Sequence, residues 1–544
     1  MKSASYDFPV NHSNYLAAAA ASSPLQPLSS SSRSSQNNNL ENCNLQMLPT
    51  KWRRIFWSTK ISKRFTLIVG LCFIFSILWL LNNRNSINVI SSDRRLLQDG
   101  NKEVRHVLVP TFNQPIVRDA NIRQQTTNVK NNDDKIAILV MSATRSAAVK
   151  NHLTQLIKFR TNINKFPIII SQDGDNSDVT NTIKEYVNEA AQIFFIHHKE
   201  RTGMDSAARK TGKNYFFIAQ HYKFALDKVF NEYGYKTVII TEDDLDLSQD
   251  FFSYFESTKH LLYEDESIWC VSAWNDNGAA ELVDQEKSET LYRTDFFPGL
   301  GWMLKSTLWE ELSPIWPEIY WDDWLRRQDI RKNRVCIRPE VSRTAHNNKL
   351  AGRGSSNGLY KKFLASVGLP SNPVDFSLVD INRLKKDNYD LFFHKQVLEA
   401  KSLSIDEIIK QRSTLSSEYS YRVTYINPRE YRHIAKSFNL MNDIRSGMAR
   451  TAYYGIIPFM VNKARVYAVH GNIDLSKPLG SFESSTLYHE DWDKMSRYLD
   501  FADLYCKRGK WQGKCDPNDS EMIEWFRKRN QMKRLKAWGE MIVI

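Results

Sequence analysis

The sequence predicts an α/β protein: a doubly wound, mainly parallel sheet with a smaller C-terminal part, carried on a type II membrane anchor. Three observations point there. Between Ile136 and Ala273, short β-branched apolar runs alternate with stretches whose apolar residues recur at helical spacing. One of those runs, Val238–Ile240, stops abruptly at consecutive carboxylates, Glu242, Asp243 and Asp244. Far upstream, an uncharged apolar run from Phe65 to Leu81 follows Lys51, Arg53, Arg54, Lys60, Lys63 and Arg64.

Residues 1–50 are rich in Ser, Asn and Ala and bury too little surface to fold, so that 1–64 reads as a disordered cytosolic tail. The run 65–81 reads as the transmembrane anchor. At about 1.5 Å per residue it spans roughly 25 Å, suiting a thin early-secretory membrane. A cleaved signal peptide would place its apolar region within the first 30 residues or so. The basic cluster leaves the N-terminus cytosolic and everything after Leu81 lumenal. Residues 82–134, rich in Asn, Arg and Gln, read as a stem.

At 544 residues and 42 % hydrophobic content, the chain can hold two or three domains with substantial cores. A net charge of +13 raises the question of nucleic acid. The Lys and Arg residues are spread widely, without a zinc-finger, RRM or basic-zipper pattern, so nucleic acid is not an expected partner. With Cys43 in the tail and Cys72 in the anchor, Cys270, Cys336, Cys506 and Cys515 face an oxidising lumen at spacings that fit no standard zinc site. Cys270 with Cys336 and Cys506 with Cys515 is the expected pairing, though four cysteines allow three. Asn518 heads a lumenal glycosylation triplet.

In order, the predicted elements are a strand at Ile136–Met141, a helix at Ser146–Phe159, a strand at Phe166–Ser171 and a helix at Asp178–Ala191. A strand at Ile193–His197 and a helix at Tyr215–Phe230 lead into the central strand. A helix at Phe251–Leu262, which Ser248 could cap, and a strand at Ile268–Ala273 follow. Ligands of open α/β sheets bind at strand C-terminal ends, and neighbouring carboxylates repel unless a cation neutralises them. No Gly-rich phosphate loop occurs, so a divalent cation and basic side chains must handle a diphosphate. An EF-hand is rejected because Gln249 stands where the loop needs Gly and Phe255 where it needs Glu. The ordinary alternative is acidic residues favouring a helix N-terminus.

Downstream lie Trp274–Gly278 and Tyr292–Leu304, where Gly299 and Gly301 permit close backbone approach and the aromatic rings serve a sugar face or the core. In Tyr320-Trp321-Asp322-Asp323-Trp324, an Asp flanked by indoles suits a general base or, as ordinarily, a helix cap. Arg353–Gly358 reads as a loop that either closes over phosphates or simply lies on the surface.

The stretches TEDDLDLSQDFFSYF, IWCVSAWNDNG, LYRTDFFPGLGWML, YWDDWLRR, CIRPEVSRT and YRVTYINPREYRHIAKSFNLMNDIRSGMARTAYYGI resemble the N-acetylglucosaminyltransferase I family. The likeness runs from about Ile136 to about Val469. It implies a GT-A glycosyltransferase fold in a Golgi membrane enzyme. The implied reaction is inverting, Mn²⁺-dependent transfer of N-acetylglucosamine from UDP-N-acetylglucosamine, in β-1,2 linkage, to the α-1,3-arm mannose of a five-mannose N-glycan. Carried over by motif, Asp244 resembles the Mn²⁺ ligand, and Glu242 and Asp243 resemble contacts to donor sugar and ribose. Arg145, Asp173 and His221 resemble nucleotide contacts, and Asp322 resembles the catalytic base. Trp321 beside it and Ser356 in the loop join the substrate contacts.

On this reading 135–345 is the nucleotide-sugar and catalytic domain, 346–469 its loop and C-terminal part, and 470–544 an extension. In the extension Met522, Trp525, Phe526, Met532 and Leu535 share a helical face, which docks on the catalytic domain or leaves a basic face for a membrane or partner. Departures from the family are the segment His346–Leu350 and the residues Ala143 and Gly174, which stand where a further cysteine pair is common. Two competing functions are the same linkage built on O-mannosyl glycans, for which the triplet would read Glu-Glu-Asp, and a silent scaffold that organises other Golgi transferases.

Overall fold

In the computed structural model the apolar runs become neighbours in one eight-stranded sheet. The structure describes residues 134–203, 213–351, 360–507 and 511–539. The expected tail, anchor and stem, and the Arg353–Gly358 loop with Ser356, lie outside them. Among the described residues no helix is long and apolar enough to cross a membrane.

The strands are β1 (Ile136–Ser142), β2 (Ile168–Asp173), β3 (Ile193–His198), β4 (Thr237–Glu242), β5 (Leu245–Leu247), β6 (Ile268–Ser272), β7 (Leu291–Thr294), β8 (Trp302–Lys305) and β9 (Val335–Pro339). All but β5 join the large sheet, in the order β3-β2-β1-β4-β8-β6-β9-β7. The ladders β1–β2, β1–β4, β2–β3 and β6–β9 are parallel, whereas β4–β8, β6–β8 and β7–β9 are antiparallel. The sheet is thus mixed and mostly parallel, as a GT-A fold requires.

Helices α1 (Ser146–Phe159), α2 (Ser177–Tyr186), α3 (Lys213–Asp227) and α4 (Phe251–Thr258) cover its two faces. Alternation along β1 assigns the sides. Ile136, Ile138 and Val140 pack with Val149 and Leu153 of α1 and Phe251 of α4, while Ala137, Leu139 and Met141 pack with Ala219 and Leu226 of α3.

Three expectations need correction. The second helix stops at Tyr186 because Val187 turns extended and Asn188 pairs with Ile193. The helix after the central strand breaks after Thr258, with Leu261–Glu264 a separate turn. Ser248 does not cap it: Asp250 holds the cap position, and the Ser248 hydroxyl donates to the Asp250 carboxylate. The antiparallel β8 was also not anticipated. It fits between β4 and β6 because Gly301, at φ 93°, leaves no room for a Cβ, which would stand 2.8 Å from Thr344 Cγ2.

Helix α5 (Trp321–Arg326) precedes β9, and β10 (Thr344–His346) pairs antiparallel with β5. Beyond lie β11 (Lys401–Ser402), β12 (Tyr421–Tyr425), helix α6 (Pro428–Phe438), the β13–β14 hairpin (Ile444–Arg445, Met448–Ala449), β15 (Ile456–Val461) and β16 (Ala464–His470). A second sheet, β11-β12-β16-β15, packs on α6. Both expected disulfides are present: Cys270–Cys336 joins β6 to β9 at paired positions, and Cys506–Cys515 closes a short loop.

The extension adds α7 (Glu490–Phe501), α8 (Ser520–Lys528) and α9 (Met532–Gly539). Met522, Phe526 and Leu535 bury against Phe501, Tyr505 and Trp538, Trp525 is half-buried, and Met532 is exposed instead of joining that face. Buried Arg432 of α6 pairs with Asp500 and Asp503, tying the extension to the second sheet's helix.

Candidate active site

Parallel register brings the candidate residues to one edge. Met141 of β1 pairs with Glu242 of β4 and Ser142 with Gln172 of β2, so the segments after all three strands emerge side by side. Arg145 follows β1, Asp173 ends β2, and the acidic triplet follows from the end of β4.

Arg145 Nη1 donates to Asp244 Oδ2 at 2.7 Å, and its Nη2 to Asp243. Asp243 Oδ2 and Asp244 Oδ1 are buried and have no partner. Tyr222 donates its hydroxyl hydrogen to Glu242 Oε1 at 3.0 Å, and His346 Nε2 stands 3.5 Å from Asp244 Oδ2. Burial first, then the neighbouring charge of Asp244, pushes Glu242 up to about 7; burial, opposed by Arg145, pushes Asp243 up to about 6. Burial acts on Asp244 too, but His346 and Arg145 hold it below its ordinary range. His346 is raised in return, chiefly by its hydrogen bond to Asp244.

Three carboxylates around one guanidinium, with two oxygens lacking partners, fit a hard divalent cation. Among the described residues no group of three His, Cys, Asp or Glu encloses an ion.

On the β2 side, Asp173 Oδ1 accepts from His198 Nδ1 and Oδ2 from Arg201 Nη2, each at 2.8 Å. Burial would raise Asp173, but His198, His221 and Arg201 hold it low. His221 Nε2 lies 2.7 Å from the Ser171 hydroxyl, and its ring stacks 5.8 Å from His198. Burial pushes His221 down to about 3. Gly174, at φ 74°, supplies the space that Arg201 uses: a Cβ there would stand 2.8 Å from Arg201 Nη2.

Trp321 stacks on Tyr222 at 4.2 Å, with Trp316 and Trp302 at 5.8 and 6.0 Å. Asp322 and Asp323 lie in the first turn of α5; the cap position is Tyr320, so neither acts as the cap. Arg326 Nη1 reaches Asp322 Oδ2 at 3.0 Å and Asp323 Oδ1 at 2.7 Å, yet the Asp322 side chain is 42 % exposed. Tyr222 thus joins the two carboxylate groups. Its ring carries Trp321, its hydroxyl holds Glu242, and after burial the charges of Glu242, Asp322 and Asp244 all raise its proton affinity.

Residues 86–476 match the GNT-I family. This chain belongs to the GNT-I family. Membership makes it a glycosyltransferase, as the resemblance of its acidic turn and Trp321–Trp324 run implied. A curated relative, the alpha-1,3-mannosyl-glycoprotein 2-beta-N-acetylglucosaminyltransferase of Arabidopsis thaliana, is 34 % identical over 331 residues, covering 60 % of this chain and 72 % of the relative. Among solved structures, the Pyrobaculum calidifontis mannosyltransferase PcManGT, in complex with GDP-Man and Mn²⁺, is 14 % identical at a TM-score of 0.23, covering 33 % of this chain and 46 % of that one. Residues 1–349 of S. aureus TarS are 10 % identical at a TM-score of 0.29, covering 56 % and 88 %. At these scores neither likeness carries an argument.

Four neighbours of this GNT-I family site escaped sequence reading. Arg326 was accessible in principle, being four residues after Asp322 and three after Asp323 on one helix. Tyr222, Arg201 and His346 reach their partners only through the tertiary fold; His346 stood out solely as the start of a divergent segment.

Proposed function

We propose that this GNT-I family member transfers N-acetylglucosamine from UDP-N-acetylglucosamine, in β-1,2 linkage and with inversion, to the α-1,3-arm mannose of a five-mannose N-glycan. The reading includes Mn²⁺ dependence and residence as a type II Golgi membrane protein, anchored by 65–81 and spaced by 82–134. One observation carries most of it: Tyr222 holds Glu242, next in the chain to the unpartnered oxygens of Asp243 and Asp244, and stacks on Trp321, next in the chain to solvent-open Asp322.

Asp244 would hold the cation, which when bound neutralises the departing diphosphate. Arg145 then has phosphate oxygens to pair with in place of Asp243 and Asp244. Glu242 and Asp243 receive the donor sugar and ribose, His221 and Asp173 with its partners His198 and Arg201 receive the nucleotide, and Trp321 offers an apolar face to a sugar ring. Ser356 is the proposed loop contact to the phosphates. As the mannose 2-hydroxyl attacks the anomeric carbon, Asp322 takes its proton, and the electron pair of the breaking C1–O bond leaves on UDP.

Full-length protein purified in detergent tests this. Transfer to a five-mannose N-glycan is expected with Mn²⁺ and not with chelator, and an O-mannosyl peptide should be a poor acceptor. Preference for the O-mannosyl peptide would redirect the assignment, and UDP-N-acetylglucosamine left unconsumed with every acceptor would favour the scaffold.

A further inference from the structure

Helix α1 turns a row of polar side chains toward the acidic turn that the transfer chemistry does not use. Fully buried His152 donates from Nδ1 to the Leu245 carbonyl at 2.6 Å, while its Nε2 lies 2.8 Å from the Thr241 hydroxyl. A carbonyl only accepts, so the ring hydrogen sits on Nδ1 and Nε2 accepts from Thr241. The neutral ring therefore bonds the residue just before Glu242-Asp243-Asp244 and the residue just after it. Burial, which pushes His152 down to about 4, keeps it neutral.

The next side chains continue the row. Asn151 Nδ2 and Gln155 Nε2 each donate to Asp246 Oδ1 at 2.8 Å, and Gln155 Oε1 accepts from the Leu247 N–H at 2.8 Å. Asn347 Nδ2 reaches both Asp246 oxygens at 3.0 Å, so amides satisfy Asp246, while Asp243 and Asp244 each keep an unpartnered oxygen. Asn151, His152 and Gln155 fall within one helical turn, and a rigid helix is a better support for a charged site than a free loop.

We propose that Asn151, His152 and Gln155 are positioning residues that clamp the acidic turn from both ends and so set its affinity for a divalent cation and diphosphate. Adjacent buried carboxylates repel, and a turn left unclamped would relieve that repulsion by splaying. The proposal rests on the reading that Asp244 holds a cation.

The test is UDP binding by full-length protein, followed by calorimetry as Mn²⁺ is titrated, with thermal stability measured in parallel. Thr241→Val and His152→Leu should raise the Mn²⁺ concentration for half-maximal UDP binding about fivefold or more. Gln155→Leu, at a half-buried position, should raise it about threefold even if a His152 variant misfolds. His152→Asn, whose amide can restore the bond to Leu245, should recover part of the loss. Asp244→Asn is the control. Lowered melting temperatures with an unchanged Mn²⁺ midpoint, while Asp244→Asn abolishes Mn²⁺-dependent binding, would overturn the clamp alone. An unaltered Mn²⁺ response in Asp244→Asn would instead overturn the cation reading beneath it.

Discussion

The two carboxylate groups of the site, Glu242–Asp244 and Asp322–Asp323, are built of the same chemistry in opposite surroundings. The first lies buried at a strand end, with like charges adjacent and two oxygens without partners, so Glu242 and Asp243 are pushed up to about 7 and about 6. The second lies on a helix with one guanidinium between its members and Asp322 42 % exposed. A buried, under-neutralised cluster is suited to receive positive charge, whereas an exposed carboxylate with solvent access is suited to take a proton and lose it again. Environment, more than residue type, separates the two groups.

The sharpest way to break that comparison is to neutralise one member of each. Asp322→Asn should lower transfer by about 10²–10⁴-fold while leaving Mn²⁺-dependent UDP binding in place. An active variant would remove the base. Asp244→Asn should lower transfer by about 10²–10³-fold and also abolish Mn²⁺-dependent UDP binding; retained binding would mean the two groups do not differ as described.

A smaller effect is expected at Arg326, whose buried guanidinium orients both α5 carboxylates. Arg326→Met should cost roughly tenfold in kcat, about 1.4 kcal/mol, with UDP affinity unchanged and partial recovery in Arg326→Lys. Loss of UDP affinity instead would give Arg326 a different place.

The smallest effect concerns Glu242 in chelator. Its folded proton affinity is raised, so the stability it contributes is present below the ordinary carboxylate range and is lost as pH rises towards about 7. Glu242→Gln removes that loss. The melting temperature of the variant relative to the parent should therefore rise by about 2 °C between about pH 5 and pH 7.5, and Mn²⁺ should shrink the difference. A flat difference in scanning calorimetry would show that Glu242 is not destabilised by its surroundings.

Much of the fold was legible because it is local. The apolar runs around Ile136, Ile169 and Ile239 became β1, β2 and β4, and Ser146–Phe159 became α1 with the expected bounds. Errors arose at element ends, where a competing local contact or lost burial overrode the pattern: Asn188 was drawn into a bridge with Ile193, Ser248 bonded to Asp250, and Met532 was left exposed. In the site, the acidic turn and the Trp321–Trp324 run announced themselves by composition. Their link through Tyr222 did not, because a stacked ring and one hydroxyl leave no trace in residue spacing.

By itself, the order of residues determined the strand and helix alternation, the four cysteines left to pair, and the two places where carboxylates gather, since each follows from periodicity, count or adjacency along the chain. Only the tertiary structure decided which carboxylates are buried, that β8 enters antiparallel between β4 and β6, that His346 faces Asp244, and that His152 brackets the acidic turn. Burial, electrostatic coupling and hydrogen-bond partners depend on distances in space, and those distances exist only once the chain has folded.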